Sequence, residues 1–177
     1  MTVDGFVAGP NGEMDWIRMD GGDDIKKYVN ELTDSVDTIL SGRKLADGFI
    51  PYWTSIKPGN PEYPFAQKMV NTPKVVFTKA LESHTWDNTS LAKGDVVEEV
   101  NTLKKQDGNG IIVYGGVSFV SSLIKNNLID EYHLFVNPAL KGKGLAIFNE
   151  LGARMNLKLV QSQTFDCGIV VNHFEPK

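Results

Sequence analysis

Cysteine is nearly absent from this chain of 177 residues, which contains only Cys167. A single cysteine excludes an intramolecular disulfide and is compatible with a reducing compartment. The neighbouring residues Phe165, Ile169 and Val171 are apolar, as expected around a thiol that is buried in a strand. We therefore expect Cys167 to be a structural residue rather than a catalytic nucleophile.

Histidine and clustered basic residues are also scarce. The histidines are His84, His133 and His173, and none stands at a ligand spacing from another histidine or from the cysteine. These scattered positions predict no metal site. The formal net charge of −4 argues against nucleic acid as the main partner, because neutralising its phosphates requires clustered Lys and Arg. A phosphorylated cofactor needs only one local basic group, so this charge does not exclude one.

Long apolar runs are missing as well. No segment approaches the ~20 apolar residues that cross a bilayer, and the N-terminus has neither the basic region nor the apolar stretch of a signal peptide. We therefore expect a cytoplasmic protein that has no membrane partner. The shares of hydrophobic residues (41%) and charged residues (23%) are those of a globular protein, and the length fits a single domain over residues 1–177.

Short apolar runs alternate with amphipathic patterns along the chain. Extended segments are predicted at 3–8, 36–40, 74–78, 111–113 and 131–136, with a short edge segment near Trp86 and Leu91; helices are predicted at 24–33, 96–105 and 117–126. Residues 157–165 and 168–174 alternate apolar and polar side chains, as a half-solvated antiparallel pair does. This order predicts an α/β domain with a mainly parallel central sheet and an antiparallel C-terminal hairpin.

The segment after residue 42 combines helix-forming and helix-breaking residues. A helix can begin at residue 43, and Gly48 and Pro51 are expected to end it. Residues 51–64 are rich in proline and aromatic side chains, and this segment is long enough to have a function of its own. Residues 64–71 are expected to add one or two helical turns, and residues 141–144 a flexible loop.

The strongest local signal is the transition from a strand to a helix at Tyr114-Gly115-Gly116-Val117-Ser118. Two glycines at the end of an apolar strand allow positive φ and the close approach of a ligand. The helix that follows directs unpaired N–H groups and the positive end of its dipole into the same space, which favours an anion such as phosphate. A tight connection between the two elements is the alternative interpretation.

Two further strand ends carry suitable chemistry. Open α/β sheets bind ligands beyond the carboxyl ends of their strands. Gly42, Arg43 and Lys44 follow one strand, and cations are disfavoured at the start of a helix unless they bind an anion there. Thr78 and Lys79 follow the next strand, where a hydroxyl and an ammonium can meet the same phosphate or an adenine edge, although Lys79 is as readily a surface residue.

Together these motifs resemble the dihydrofolate reductase-like superfamily. Within it, the chain is similar to the branch named after the C-terminal reductase domain of bacterial riboflavin biosynthesis. The matching motifs are TVDGFVAGPNG at 2–12, DW at 15–16, LSGRK at 40–44, VVFTK at 75–79, WDNT at 86–89 and VYGG at 113–116. The resemblance implies a three-layer α/β sandwich. Met1 stands only three residues before Asp4, closer than in the family's pattern, so we expect either a short first strand or a truncated N-terminus.

The resemblance also implies NADPH as the cofactor. By this similarity, backbone groups of Ala8 contact the nicotinamide carboxamide. Gly42, Arg43 and Lys44 bind the adenosine 2′-phosphate and the neighbouring pyrophosphate, with Thr78 and Lys79 on the adenosine side. Gly115, Gly116, Val117 and Ser118 hold the pyrophosphate and the nicotinamide ribose.

The substrate side is less defined by the sequence. Asp4 is a candidate proton donor, although a turn carboxylate before Gly5 is the more ordinary interpretation; Asp15 and Asp24 are rivals, and water is another donor. Trp16, Trp53 and Phe119, with Tyr52, are candidates for the walls of a flat pocket, and each is also an ordinary core residue. The acid that dihydrofolate reductases carry on their first helix has no clear counterpart, so folate is not the expected substrate.

Three functions remain open at this level. The preferred one is an NADPH-dependent reductase of a small heterocyclic, pteridine- or pyrimidine-like, or carbonyl substrate. The second is a catalytically idle nucleotide-binding or sensing module on the same fold. The third is a structural or interaction protein whose glycines only form turns and whose residues 51–64 are a partner surface. By analogy with related reductase domains, a homodimer is expected.

Overall fold

The computed structural model describes residues 1–17 and 22–177. The chain forms two compact units, which we call the terminal unit (Met1–Val29 with Val120–Lys177) and the central unit (Asn30–Phe119). The elements in chain order are α1 (Asp23–Asp34), β1 (Val36–Gly42), α2 (Arg43–Ser55), α3 (Tyr63–Asn71), β2 (Lys74–Phe77), β3 (Thr89–Ala92), α4 (Val96–Leu103), β4 (Gly110–Val113), α5 (Val117–Lys125), β5 (Tyr132–Val136), β6 (Leu157–Thr164) and β7 (Val170–Pro176).

The central unit contains a four-stranded parallel sheet in the order β3-β2-β1-β4. Its core includes Ala46 and Ile50 of α2 and Val76 of β2, which are all buried. The parallel sheet confirms the predicted α/β class. Strand β4 lies at the end of the strand order, and each of its residues is only partly buried.

Helix α2 is longer than the sequence predicts. It continues through Gly48 and Pro51 to Ser55, where the N–H of Ile56 donates to the carbonyl of Trp53. Pro51 removes one helical hydrogen bond, and a proline in a helix interior ordinarily costs about 3 kcal/mol. The burial of Ile50 on one side of the proline and the packing of Trp53 against Phe65 of α3 on the other offset that cost, with 5.2 Å between the two ring centroids.

Lys74 connects α3 to β2 through its side chain. It is almost fully buried, and its Nζ donates to the carbonyls of Met69, Val70 and Thr72 at distances of 2.7–3.0 Å. These carbonyls lie at the end of α3, where the helix leaves acceptors without an intrahelical donor. Burial lowers the pKa of the Lys74 ammonium, and nearby Asp87 partly opposes that effect.

The terminal unit contains a separate three-stranded antiparallel sheet in the order β5-β7-β6. Strands β6 and β7 form the predicted C-terminal hairpin, with a shift in register between Leu159 and Gln161. The core of the terminal unit includes Ile25, Phe165 and Val171, and Cys167 is partly buried against it. Cys167 lies in the turn between β6 and β7, so the expectation of a thiol buried in a strand is wrong.

The first residues do not form the strand that was predicted at 3–8. Instead, Thr2 forms a single parallel bridge with Asn137, and Ala8 forms a single antiparallel bridge with Leu145. Between them, the Thr2 hydroxyl accepts from the Phe6 N–H at 3.0 Å, and the Thr2 N–H donates to the Phe6 carbonyl at 2.8 Å. This local turn uses backbone groups that a continuous strand would need for its ladder.

Within the described ranges 1–17 and 22–177, no helix is both long enough and apolar enough to span a membrane.

Candidate functional site

Two glycine turns meet in the central unit. Strand β1 ends at Gly42 and strand β4 ends just before Gly115 and Gly116. Gly116 has φ = +87°, and a Cβ placed on it would lie 3.9 Å from the nitrogen of Gly42. A Cβ placed on Gly42 would lie 3.1 Å from the Cβ of Phe119, closer than an ordinary contact. The predicted turns at residues 42 and 116 are thus neighbours; the positive φ of Gly116 favours glycine, and a side chain at residue 42 would require Phe119 to shift.

A helix begins directly after each of these turns. Gly42 is the N-cap of α2 in an extended conformation and makes no side-chain cap. Neither α2 nor α5 has an acidic residue in its first turn. Without a capping side chain, the first N–H groups of α2 are available to an anion, and the helix dipole favours negative charge at that end.

Arg43 and Lys44 begin α2, as predicted, and Lys44 is exposed. The guanidinium Nη1 of Arg43 lies 2.6 Å from the carboxylate of Asp47, and both side chains are roughly half exposed. Exposed pairs of this kind contribute only about 0.2–1 kcal/mol, so an incoming phosphate can replace the carboxylate. Asp47 is a residue of this site that the sequence reasoning missed, although its spacing of four from Arg43 indicates the pair.

Thr78 and Lys79 lie just beyond β2, whose Phe77 pairs with Gly42. Thr78 is buried, and its hydroxyl oxygen accepts from the N–H groups of Ala80 and Leu81 at 3.2 and 3.0 Å. The hydroxyl therefore shapes the loop after β2. Lys79 is exposed at the same end of the strand.

Val117, Ser118 and Phe119 form the first turn of α5. Ser118 is exposed, and Val117 is partly buried. The ring of Phe119 packs on Phe77, with 4.8 Å between the ring centroids, and it also covers Gly42. Phe119 thus supports the strand ends by packing, and its predicted contact with a substrate stays a prediction.

Trp53 lies in a different part of the central unit. Its Nε1 is buried and has no hydrogen-bond partner among the residues that the structure describes. It lines a small cavity together with Phe49, Ile50, Thr54, Met69, Val70, Lys74 and Asp87. None of these lining residues belongs to the predicted cofactor set, so the structure does not bring Trp53 together with Gly42 and Gly116.

The carboxylate of Asp4 is held by backbone groups of the terminal unit. It accepts from the N–H of Lys141 at 3.1 Å and from the N–H of Gly142 at 2.7 Å. The Thr2 side chain, followed by the Gly142 N–H, holds the pKa of Asp4 below its usual range. An aspartate with a lowered pKa is ionised at neutral pH and is a poor proton donor. This geometry favours the turn carboxylate over the catalytic interpretation.

Ala8 is buried next to the loop at 141–145. Its carbonyl accepts from the Leu145 N–H at 2.8 Å, and a Cβ placed on Gly144 would lie 2.2 Å from that oxygen. Gly144 is therefore needed for the close approach of the two segments. The loop that the sequence predicts to be flexible has no regular secondary structure, yet hydrogen bonds to Asp4 and Ala8 tie it to the N-terminal segment.

Trp16 also belongs to the terminal unit and is partly buried. Its Nε1 is buried and lacks a hydrogen-bond partner within the described part of the chain. The neighbouring Asp15 accepts from Nζ of Lys141 at 2.8 Å. Its predicted role in binding a substrate remains a prediction.

The sequence analysis described the three histidines as scattered, yet two of them lie together in the structure. His133 on β5 pairs with His173 on β7, and their rings stack with 4.2 Å between the centroids. Glu131 approaches both rings. Sequence reasoning missed this group because the pairing of two strands that are far apart in the chain brings it together.

Solved structures with a similar fold include two bacterial proteins. A candidate riboflavin biosynthesis protein from Shewanella sp. PV-4 matches with a TM-score of 0.79 and 20% identity over 100% of this chain and 95% of that chain. The Thermotoga maritima diaminohydroxyphosphoribosylaminopyrimidine deaminase/5-amino-6-(5-phosphoribosylamino)uracil reductase matches with a TM-score of 0.70 and 21% identity over 99% of this chain and 54% of that chain.

Dihydrofolate reductase from Enterococcus faecalis, complexed with NADP(H), matches with a TM-score of 0.59 and 14% identity over 100% of this chain and 92% of that chain. The fold is therefore reductase-like. Residues 1–171 match the RibD C-terminal domain, and the chain belongs to that family. The uncharacterized protein YyaP of Bacillus subtilis (strain 168) is 35% identical over 171 residues, which are 96% of this chain and 88% of YyaP.

Proposed function

We propose that the protein is an NADPH-dependent reductase of a small heterocyclic, pteridine- or pyrimidine-like, or carbonyl substrate. The observation that carries this proposal is the meeting of the Gly42 and Gly116 turns at the start of α2 and α5. Two adjacent glycine turns, each followed by a helix with no acidic residue in its first turn, suit a diphosphate. Further support comes from the family and from the reductases of the same fold, one of which is complexed with NADP(H).

The central unit offers groups for the phosphates of such a cofactor. Gly115, Gly116, Val117 and Ser118 would hold the pyrophosphate and the nicotinamide ribose through backbone N–H groups at the start of α5. Gly42, Arg43 and Lys44 would hold the adenosine 2′-phosphate, because a guanidinium binds a phosphate with two parallel hydrogen bonds. Thr78 and Lys79 would lie on the adenosine side.

The cofactor supplies hydride chemistry when it is bound, and the protein supplies orientation and exclusion of water. Ala8 is assigned to the nicotinamide carboxamide on the family resemblance. The carboxylate of Asp4 fixes the loop at Lys141 and Gly142. We therefore assign Asp4 to positioning this loop, and we assign the proton of the reaction to water.

The test is a fluorescence titration of the full chain with NADPH and with NADH. Replacing Arg43 by Ala removes charge-assisted hydrogen bonds that contribute about 1.5–3 kcal/mol, so the NADPH affinity should fall about 10- to 100-fold. The NADH affinity should stay unchanged because NADH lacks the 2′-phosphate. Arg154→Ala is the matched control, since Arg154 donates to Asn156 in the terminal unit.

Asp47→Asn is the companion variant, because it removes the carboxylate that competes for Arg43. It should bind NADPH at least as tightly as the unmodified chain. Absence of NADPH binding to the unmodified chain, or equal losses for NADPH and NADH in Arg43→Ala, would rule out the assigned cofactor site.

A nucleotide-binding module without turnover is the second candidate function. The lowered pKa of Asp4 and the hydrogen bonds that its carboxylate accepts from the Lys141 and Gly142 N–H groups favour it, because the most obvious acid is then a poor proton donor. A panel of pterins, pyrimidines, quinones and aldehydes, with NADPH oxidation followed by absorbance, separates the two functions. Rapid turnover of any member removes the idle module, whereas tight NADPH binding without oxidation supports it.

A further inference from the structure

The terminal unit holds a cross-strand pair of histidines with a carboxylate beside it. His133 of β5 and His173 of β7 are directly opposite in the antiparallel register. Their side chains are only 19% and 16% exposed, and their rings are nearly parallel, with an interplanar angle of 16°. The pairing of β5 with β7 therefore holds two potential imidazole ligands close together.

Glu131 supplies an oxygen to both rings. Its Oε2 lies 3.4 Å from Nε2 of His133 and 3.1 Å from Nε2 of His173. The three ligand atoms lie within 4.8 Å of one another. Zinc binds nitrogen and carboxylate oxygen at about 2.0–2.2 Å, so adjacent ligands of a tetrahedral zinc ion are about 3.3–3.5 Å apart. The two measured nitrogen-to-oxygen distances are close to that separation.

His173 has an unsatisfied nitrogen in this group. Its Nε2 is buried and makes no hydrogen bond among the residues that the structure describes. The Oε2 atom of Glu131 is 3.1 Å away, close enough for an ion pair but not aligned for a hydrogen bond. A buried polar atom without a partner costs free energy, and such atoms often mark the place of a missing ion or water.

Tyr28 of α1 orients the other imidazole. Its hydroxyl lies 2.8 Å from Nδ1 of His133. When Nδ1 carries the proton and donates to the hydroxyl oxygen, the lone pair of Nε2 is free to bind a metal. Histidines that bind metals almost always donate their second nitrogen in this way, and the partner fixes both the tautomer and the direction of the ring.

We propose that Glu131, His133 and His173 form a binding site for a divalent first-row transition-metal ion such as Zn²⁺. Two imidazoles and one carboxylate match the ligand preference of Zn²⁺, Co²⁺ and Ni²⁺, whereas Mg²⁺ and Ca²⁺ require oxygen ligands. To bind one ion, the nearly parallel imidazole rings must rotate so that their in-plane Nε2 lone pairs converge. Glu131, with 58% of its side chain exposed, gives the ion access from solvent, and water completes the coordination.

The test is a titration of the full chain with Co²⁺, followed by its visible d–d absorption, and then displacement by Zn²⁺ in competition with a chromophoric chelator. We expect one equivalent of metal to bind. Glu131→Gln and His173→Asn should each weaken binding at least about tenfold, and Tyr28→Phe should weaken it about tenfold by leaving Nδ1 without its partner. Tyr28→Phe should also change the Co²⁺ spectrum, which a purely structural role would leave unaltered.

His84→Asn is the matched control, because His84 stacks on Trp86 in the central unit and should not affect metal binding. Circular dichroism of each variant checks its folding, and exposed Glu131 provides the substitution least able to disturb the core. Absence of Co²⁺ and Zn²⁺ binding to the unmodified chain at micromolar metal would overturn the site. So would equal metal affinity in the unmodified chain, Glu131→Gln and His173→Asn.

Discussion

At the scale of single residues, the same side chain can serve a turn or a reaction, and its hydrogen bonds decide between them. Asp4 precedes Gly5 in a motif that suggests a role near a cofactor, yet its carboxylate is occupied by the N–H groups of Lys141 and Gly142. Thr78 similarly uses its hydroxyl oxygen to accept from Ala80 and Leu81. Sequence identifies such residues without revealing which partners they have.

Asp4 yields a pH-dependent prediction. Its folded-state pKa lies below the unfolded value because the Thr2 side chain and the Gly142 N–H stabilise the charged form. Its contribution to the loop is therefore fully present above the unfolded pKa and is lost as the pH falls through the folded pKa. The amide NMR signals of Lys141 and Gly142 should titrate with a midpoint below that of an ordinary aspartate.

Asp4→Asn should abolish this titration and speed hydrogen exchange at both amides. Glu13→Gln, in the same N-terminal loop, is the control and should leave the two amide signals in place. A midpoint above the ordinary aspartate value would instead restore Asp4 as a proton donor.

At the scale of elements, packing determines where α2 ends. Pro51 is exposed within the helix, while Ile50 beside it is buried. The sequence rule that proline ends a helix concerns the lost hydrogen bond, and it omits what the following turn buries. Trp53 and Phe65 contribute contacts between α2 and α3 that no pattern within residues 43–55 could reveal.

Pro51→Ala should therefore stabilise the protein. The substitution restores a backbone N–H in the helix interior and removes the ring, which should stabilise the helix by about 3 kcal/mol. The unfolded chain of the variant is more flexible, which lowers the stability by about 0.4–1 kcal/mol. We expect a net gain of about 2–2.6 kcal/mol in the free energy of unfolding, measured by urea denaturation. Pro64→Ala in the first turn of α3 is the control and should give no gain, because no N–H is missing there. An unchanged or lower midpoint for Pro51→Ala would contradict this account of α2.

At the scale of the whole molecule, the sequence predictions are accurate where the interactions are local in the chain and fail where they join distant segments. Helix α1, strand β1 and the C-terminal hairpin were predicted close to their observed bounds because local periodicity determines them. The neighbouring positions of the Gly42 and Gly116 turns could also be predicted from the sequence, since parallel strands end on the same side of a sheet. The stack of His133 on His173 could not be predicted, because it depends on which strand pairs with β5.

The proposed cofactor should stabilise the folded chain. A ligand that binds only the native state, at about 100 times its Kd, adds about 2.7 kcal/mol. For a protein of this size the midpoint of thermal unfolding should rise by about 5–10 °C. Gly116→Val should lose this NADPH-dependent rise, because the side chain would occupy the turn at φ = +87°. The variant will also be less stable without ligand, so the comparison is the shift within each variant.

Gly48 is another glycine of the central unit, and a Cβ placed on it would meet no atom within 4 Å. Gly48→Val should therefore keep the NADPH-dependent rise in the midpoint of thermal unfolding. A full NADPH-dependent shift in Gly116→Val would mean that the Gly116 turn takes no part in binding the cofactor.

The buried ammonium of Lys74 has a consequence for the chemistry of the folded chain. Because its Nζ donates to three carbonyls at the end of α3 and is shielded from water, amine-reactive reagents cannot reach it while β2 and α3 stay together. Exposed lysines such as Lys44 and Lys79 react without any opening. The rate at which Lys74 is labelled therefore reports how often the central unit opens, without any probe having to be introduced.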